Sequence, residues 1–213
     1  RRFWRRFHLT KILLIIGLGF SLLTGGYLFY LAKTTNVKDL QNALKATTII
    51  YDKNGDQAGS LTGQKGTYVE LDAISENLQN AVVATEDRSF YKNSGINYGR
   101  FFLAILTLGR SGGGSTITQQ LAKNAYLSQD QTVERKAKEF FLALEINKKY
   151  SKKEILTMYL NNAYFGNGVW GIEDASKKYF GVSASQLSLD QSAVLAGMLK
   201  GPEIYNPLYS VEN

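Results

Sequence analysis

The hydrophobic positions divide the chain into one unbroken apolar stretch near the N-terminus and a longer remainder in which apolar residues recur periodically. Residues 12–32, ILLIIGLGFSLLTGGYLFYLA, contain no charged side chain. At a rise of 1.5 Å per residue, a helix of this length spans the ~30 Å hydrocarbon core of a bilayer. A buried helix of a soluble protein is usually shorter and polar on one face, and a cleaved signal peptide has a shorter apolar region with a small-residue cleavage site. The pattern therefore predicts one transmembrane helix that acts as a signal-anchor.

The segment after this helix is polar and then turns to β-branched residues. Residues 33–49 are expected to form a stalk or linker. Residues 47–61, TTIIYDKNGDQAGSL, predict a β-hairpin, because β-branched residues run into an Asn-Gly turn. Residues 68–71 predict one more short strand. The sequence thus places a small β element near the membrane.

From residue 72 onward the apolar residues recur at helical spacing. Ser151 and Ser188 each precede a Glu or Gln by three residues, which is the sequence signature of a capped helix start. Residues 172–180 predict another helix, which ends at Gly181. Residues 50–213 are therefore predicted to form one mainly α domain behind the transmembrane helix.

The formal net charge of +7 is concentrated in the leader at residues 1–11, which contains five basic residues and no acid. The other 202 residues carry a net charge of only +2, whereas a nucleic-acid-binding domain has its charge in the folded part. No nucleic acid partner is expected. The positive leader predicts a cytoplasmic N-terminus, with everything after Lys33 outside the cell. Because the chain starts with Arg rather than Met, further cytoplasmic sequence is expected before it.

The residue types present narrow the chemistry that the domain can perform. The chain has no Cys and a single His, His8 in the leader. These counts exclude a disulfide scaffold, a thiol nucleophile and a zinc site built from Cys or paired His. A Ser-His-Asp triad would have to use this one His.

Three segments of the domain could carry that chemistry. Glu86 and Asp87 follow an apolar helical run, and residues 112–120, GGGSTITQQ, place glycines before a helix start that could bind an anion. Arg135 and Glu139 are one helical turn apart. Taken singly, these segments also fit a solvated helix end, a capped loop and a surface ion pair worth ~0.3–0.5 kcal/mol.

Together the segments resemble the first four signature motifs of the peptidoglycan glycosyltransferases, glycosyltransferase family 51. The motifs occur in the family's order, and the chain resembles the N-terminal part of class A penicillin-binding proteins. In this sequence they read Glu86-Asp87-x-x-Phe90, Gly114-x-Thr116-x-Thr118-Gln119-Gln120, Arg135-Lys136-x-x-Glu139 and Lys152-x-x-Ile155-Leu156-x-x-Tyr159-Leu160-Asn161.

The resemblance implies a lysozyme-like fold and the polymerisation of lipid II in cell-wall synthesis. The 4-hydroxyl of lipid II would attack the lipid-linked end of a growing glycan with inversion, forming a β-1,4 linkage and releasing polyprenyl pyrophosphate. The implied partners are lipid II, the lipid-linked glycan, the membrane, and membrane-protein regulators or other cell-wall proteins reached through the transmembrane helix. The implied location is the plasma membrane, with the catalytic domain extracellular.

The resemblance also assigns roles to residues. Glu86 would be the general base, and Glu139 the second catalytic residue, which orients the cations or the acceptor. A divalent cation, Mg²⁺ or Mn²⁺, could assist at the pyrophosphate, although no ligand cluster demands one, so no metal site is predicted. The residues expected to bind substrate are Asp87, Phe90, Gly114, Ser115, Thr116, Thr118, Gln119, Gln120, Lys123, Arg135, Lys136, Lys152, Tyr159 and Asn161.

The sequence departs from the family pattern at several points. Asn93 stands where the family usually has His, and Thr157 replaces a common Glu. The fifth motif is not reached before Asn213, so the domain is expected to be truncated at its C-terminus. Ser89-x-x-Lys92 matches a penicillin-binding pattern by chance, because no K-T-G or S-D-N follows. A transpeptidase domain, which would make the protein a multifunctional enzyme, would lie beyond residue 213.

Two other functions fit the same features. A lysozyme-like hydrolase or lytic transglycosylase would share the α-rich fold and the Glu, and it would cleave glycan instead of lengthening it. A catalytically silent, membrane-anchored cell-wall scaffold would need neither Glu86 nor Glu139.

Overall fold

The computed structural model describes residues 2–34, 37, 47–62, 66–107, 114–127 and 132–208. Over these residues the protein is mainly α, as predicted, with one small β-hairpin. The α-helices of the described part are α1 (Arg2–Thr34), α2 (Glu76–Glu86), α3 (Tyr98–Leu106), α4 (Ile117–Tyr126), α5 (Val133–Lys149), α6 (Lys152–Asn162), α7 (Ile172–Phe180) and α8 (Leu189–Met198).

Helix α1 contains the predicted membrane-spanning segment. Its portion His8–Thr34 is long and apolar enough to cross a bilayer, and the helix is continuous from the basic leader into the apolar stretch. Its large apolar side chains between Leu9 and Tyr30 are exposed, whereas Leu31 is buried. This end of α1 approaches the domain, where α1 contacts α5.

The hairpin pairs β1 (Thr47–Tyr51) with β2 (Gln57–Thr62) in antiparallel register. In the turn, the Asp52 carboxylate accepts hydrogen bonds from the backbone N–H groups of Asn54 and Asp56 at 2.8 and 2.9 Å. The additional strand expected over residues 68–71 is wrong, because that segment enters a short 3₁₀ helix, Leu71–Ala73. Most of the expected stalk, residues 35–36 and 38–46, lies outside the described residues.

Helix α6 is the centre of the domain. It begins at the predicted capping box, in which the Ser151 side chain accepts from the Glu154 N–H and the Glu154 carboxylate accepts from the Ser151 N–H. All seven residues at 155–161 are buried. Helices α4, α5 and α7 pack on α6, and α8 packs on α2. A helix buried on all sides holds the side chains that it presents to its neighbours in fixed positions.

Candidate active site

Glu86 is the last residue of α2, and a chain of hydrogen bonds holds it against the domain core. The Gln120 side-chain amide on α4 donates to Glu86 Oε2 at 2.5 Å. The Tyr159 hydroxyl on α6 in turn donates to the carbonyl oxygen of that amide at 3.1 Å. Three helices therefore position one carboxylate, whose other oxygen has no hydrogen-bond partner among the described residues.

Tyr159 keeps its proton in this chain. Burial raises the pKa of the Tyr159 hydroxyl well above its ordinary value, and the nearby negative charge of Glu86 raises the pKa further. A protonated hydroxyl must donate to the carbonyl oxygen of Gln120, which turns the amide NH₂ toward Glu86. The orientation of Gln120 is thus fixed at neutral pH.

Glu139 lies at the centre of a cluster of cations on α5. Its carboxylate is almost fully buried and accepts from Arg135 Nη1 at 2.7 Å and from Lys136 Nζ at 2.5 Å. The Gln119 side-chain amide makes a longer contact with the same carboxylate at 3.4 Å. Two consecutive amides of α4, Gln119 and Gln120, therefore contact the two carboxylates that the sequence predicted to be catalytic.

The start of α4 places its hydroxyl residues beside that cluster. Ser115 Oγ accepts from Lys136 Nζ at 2.8 Å. Thr116 is the N-cap: its side chain accepts from the Gln119 N–H and donates to the carbonyl of Gly95 at 2.6 Å. Gly114 passes so close to α3 that a Cβ on it would lie 2.9 Å from the carbonyl oxygen of Arg100. Only glycine lets the chain enter α4 at this point.

Two polar atoms of the predicted motifs are buried without a partner among the described residues. They are Nε of Arg135 and Oγ1 of Thr118. Buried polar groups are nearly always hydrogen-bonded, so these two atoms are expected to have partners beyond the described residues. The Arg135 guanidinium, which already binds Glu139 with Nη1, therefore retains a donor suited to an anionic ligand.

Two cavities open beside these groups. The first does not include Glu86 in its lining, but we call it the Glu86 cavity because its lining residue Gln120 holds that carboxylate. It has a volume of about 390 Å³ and is lined by Gln120, Lys123, Asn124, Tyr159, Ala163, Tyr164, Trp170, Leu199 and Pro202. The second has about 190 Å³ and is lined by Phe101, Ala104, Gly114, Ser115, Gln119 and Lys136. Gln119 and Lys123 lie one turn apart on α4, so α4 connects the two cavities.

The other acidic residue of the first motif belongs to a separate network. Asp87 is buried and accepts from the Ser89 hydroxyl. Both oxygens of its carboxylate also accept from Nδ2 of Asn93, and the Asn93 carbonyl accepts from Lys152 Nζ at 3.0 Å. Lys152 also lies over the Phe90 ring at 4.8 Å. Burial lowers the pKa of Lys152, and Asp87 opposes that shift. Asn93 thus bridges opposite charges and joins the segment after Glu86 to α6.

Two predicted substrate contacts occupy positions that favour a structural role. Phe90 is completely buried in the core. Asn161 is 1% exposed, and its side-chain amide binds backbone groups. Its carbonyl oxygen accepts from the Val69 N–H at 2.8 Å, and its NH₂ group donates to the carbonyls of Val69 and Thr157, each at 2.8 Å. Asn161 therefore fixes the segment that follows the hairpin to α6.

A metal site built from protein ligands does not fit this arrangement. Among the described residues, no three His, Cys, Asp or Glu side chains lie close enough together to hold an ion. The Glu139 carboxylate, the acid closest to the cations, already accepts from Arg135 and Lys136. We therefore derive no step through a metal ion.

Three residues that line the Glu86 cavity were not predicted from the sequence: Asn124, Tyr164 and Trp170. Tyr164 and Trp170 form an isolated antiparallel bridge, and their rings are 4.8 Å apart. Their loop follows α6 directly. An aromatic residue in a loop has no periodic pattern, so only the fold brings it to the site.

Helix α3 presents apolar side chains to the surface beside the second cavity. Phe102, Leu103 and Leu106 are 60, 49 and 81% exposed. Phe101 packs on Phe140 of α5, with ring centroids 5.1 Å apart. The six-residue apolar run at 101–106 fits both a buried core helix and a segment at the bilayer interface, and these exposures favour the interface.

Comparison with known proteins gives consistent matches over the domain. Residues 54–213 match the family model described as Transglycosylase. The chain is 80% identical over its whole length to penicillin-binding protein 2a of Streptococcus pneumoniae, of which it covers 29%. It is 41% identical to penicillin-binding protein 1A of Aquifex aeolicus, over 93% of this chain and 28% of that protein. It is 39% identical to penicillin-binding protein 1A/1B of Bacillus subtilis, over 94% of this chain and 22% of that protein. The chain thus spans less than a third of the length of these relatives.

Proposed function

Since the chain belongs to the transglycosylase family, as its four motifs predicted, we propose that it polymerises lipid II into β-1,4-linked peptidoglycan. The relatives are penicillin-binding proteins, and a glycosyltransferase domain implies lipid II and a lipid-linked glycan as substrates. The finer assignment to a lysozyme-like fold is part of the same proposal. It is supported by the mainly α domain and by the Glu at the end of α2.

One observation carries the proposal: consecutive amides of α4 contact a single available carboxylate, Glu86, and the carboxylate that holds a cluster of cations, Glu139. Glu86 accepts one hydrogen bond and keeps an oxygen open, whereas Glu139 is buried between Arg135 and Lys136. Transfer from a lipid pyrophosphate needs one base and several cations, because the leaving group requires charge neutralisation more than a proton. The site supplies both.

Glu86 would take the proton from the attacking 4-hydroxyl. The Gln120 amide holds one of its oxygens, so the other can point toward the acceptor without loss of orientation. Tyr159 fixes Gln120 and stays protonated. The base is thus preorganised by neutral groups, which do not neutralise its negative charge.

The leaving pyrophosphate would be bound by Arg135, Lys136 and Lys123. Lys136 bridges Glu139 and Ser115, and Arg135 retains its unpaired Nε donor. Lys123 lines the Glu86 cavity. Cations that are held in place before the reaction stabilise the charge that grows in the transition state without reorganisation. Glu139 acts here as a positioning residue that fixes two of the cations.

The same geometry disfavours a glycosidase that uses two carboxylates. Such an enzyme needs a second carboxyl group that can act as an acid, a nucleophile or a base on water. Glu139 is paired with two cations and Asp87 accepts three side-chain hydrogen bonds, so neither carboxylate is available. A scaffold would require no such arrangement of buried charges, which is costly to desolvate.

Polymerisation of labelled lipid II tests the proposal directly. The detergent-solubilised chain, and a version extended past Asn213, are incubated with labelled lipid II, and the products are separated by size. We expect glycan longer than the substrate. Shortening of purified glycan strands, with no lengthening of lipid II, would instead support the hydrolase or lytic transglycosylase.

The membrane location is part of the proposal. Both substrates carry polyprenyl tails, so the site must open near the bilayer surface. Helix α1 supplies the anchor, and the exposed apolar residues of α3 would lie in the outer interface beside the lipid-bearing substrate. The N-terminus would be cytoplasmic and the domain extracellular, and α1 would be available to membrane-protein regulators or other cell-wall proteins.

Thiol labelling checks this topology, because the chain has no Cys of its own. The basic leader predicts that a membrane-impermeant reagent labels Lys148→Cys in intact cells and labels His8→Cys only after lysis. Lys148 is exposed on the last turn of α5 and lies outside the proposed site. Labelling of His8→Cys alone in intact cells would reverse the orientation.

A further inference from the structure

A larger cavity shares one lining residue, Trp170, with the Glu86 cavity. It has a volume of about 510 Å³ and is lined by Gly66, Gly168, Val169, Trp170, Asp174 and Lys178; we call it the Trp170 cavity. Trp170 lines this cavity and the Glu86 cavity alike, so the two are neighbours. Its volume is in the range of small-molecule sites. None of its residues has a role in the transfer step described above.

The Trp170 cavity carries one acid and one base on a single helix face. Asp174 and Lys178 are one turn apart on α7, so their side chains are neighbours. The neighbouring charged residues on α7, Glu173 and Lys177, already form an ion pair with each other at 2.9 Å. Asp174 and Lys178 make no ion pair within 4 Å to each other or to any other described residue. The cavity thus offers separate sites for a cation and an anion.

The wall of the cavity depends on a glycine. Gly66 has a φ of +120°, and a Cβ on it would lie 2.2 Å from the Trp170 carbonyl oxygen and 3.3 Å from an Asp174 carboxylate oxygen. The backbone of the segment before α2 therefore packs directly on the backbone of Trp170. Gly66 thus lies against both Trp170 and Asp174.

We propose that the Trp170 cavity binds the stem peptide of the substrate. This inference rests on the proposed function, because lipid II carries on its muramyl sugar a short peptide with carboxylates and an amine. A sugar in the Glu86 cavity would place the peptide beside Trp170. A carboxylate of the peptide then pairs with Lys178, and its amine pairs with Asp174. The pair of opposite charges recognises the peptide and leaves the bond transfer to Glu86.

Tryptophan fluorescence provides a binding test that needs no turnover. The chain has two Trp residues, Trp4 and Trp170, so Trp4→Phe leaves Trp170 as the single reporter. The detergent-solubilised Trp4→Phe chain is titrated with soluble muramyl pentapeptide and, separately, with N-acetylmuramic acid. We expect a saturable change with the muramyl pentapeptide and much weaker binding of the sugar alone.

Removal of the two charges isolates their contribution. Asp174→Asn with Lys178→Gln should weaken binding of the muramyl pentapeptide roughly three- to tenfold, as expected for two solvent-accessible ion pairs. Lys177→Gln, next to Lys178 on the same helix, is the matched control and should leave the affinity unchanged. Far-UV circular dichroism of each variant verifies the helix content.

The outcomes separate this inference from the proposed function. Equal affinity of the Asp174→Asn, Lys178→Gln variant and the parent, or equal binding of sugar with and without peptide, overturns the peptide site. If the chain binds the muramyl pentapeptide more tightly than the sugar alone but does not polymerise lipid II, the peptide site is supported and the proposed function is wrong. If the chain polymerises lipid II but binds the sugar equally well with and without the peptide, the proposed function stands and the peptide site is wrong.

Discussion

Replacement of Glu86 by Gln should reduce the rate of lipid II polymerisation by ~10²–10⁴-fold, which is the usual scale for loss of a general base. Gln has the same shape, and its carbonyl oxygen can still accept the hydrogen bond from Gln120 that Glu86 accepts at 2.5 Å. The fold should therefore remain intact. Initial rates of glycan formation and a thermal melt of the same preparation measure the two effects separately.

A matched control is available on the same helix. Helix α2 is eleven residues long, and Glu86 is its last residue. Glu76 is exposed in the first turn, at the opposite end of the helix. Glu76→Gln removes the same charge from the helix and should polymerise lipid II at the parent rate. Full activity of Glu86→Gln would exclude Glu86 as the base and leave a carboxylate-independent mechanism or a scaffold.

Local signals in the sequence predicted much of the secondary structure. The capping boxes at Ser151 and Ser188 begin helices where expected, and residues 172–180 form α7 with Gly181 in the left-handed conformation at its end. These features succeed because they depend on interactions within one helical turn. The strand expected at residues 68–71 is wrong: the Asn161 side chain, 92 residues away, binds both backbone groups of Val69, and the segment then enters a 3₁₀ helix.

The site was predictable only in part, for the same physical reason. The motifs singled out Glu86, Gln120 and Glu139, which the fold connects through α4, but spacing cannot show which amide contacts which carboxylate. Nor could spacing show that Asn93 bridges Asp87 and Lys152, or that Trp170 lines two cavities. Each of these contacts joins different helices or loops, so it exists only after the chain has folded.

Burial also changes the interpretation of the pair formed by Arg135 and Glu139. One helical turn of spacing fits a surface ion pair, and that interpretation is wrong: the side chains are 15 and 2% exposed. Loss of Arg135 leaves Glu139 with Lys136 and the longer Gln119 contact. Arg135→Ala should therefore lower the free energy of unfolding by about 1–3 kcal/mol, the cost of leaving a buried charge partly unsatisfied.

The activity of Arg135 variants should fall by more than stability explains. If the guanidinium binds the leaving pyrophosphate, Arg135→Ala should lose ~10²–10³-fold in kcat at a temperature where the variant is fully folded. Arg135→Lys keeps the charge near Glu139 and loses the planar fork and the unpaired Nε donor, so its activity should lie between those of Arg135→Ala and the parent. Rates of lipid II polymerisation and thermal melts of both variants provide the comparison.

Lys148 supplies the control for charge on α5. It forms an ion pair with Glu145 at 2.7 Å and is 72% exposed, so Lys148→Ala removes a cation from the same helix without touching the site. That variant should polymerise lipid II at the parent rate. If Arg135→Ala and Arg135→Lys both did so too, the pyrophosphate would have to be bound by other cations, and the buried pair with Glu139 would only stabilise the fold. A graded loss from Lys to Ala, with Lys148→Ala unaffected, requires the guanidinium itself, because charge alone is the same in Arg135→Lys and the parent.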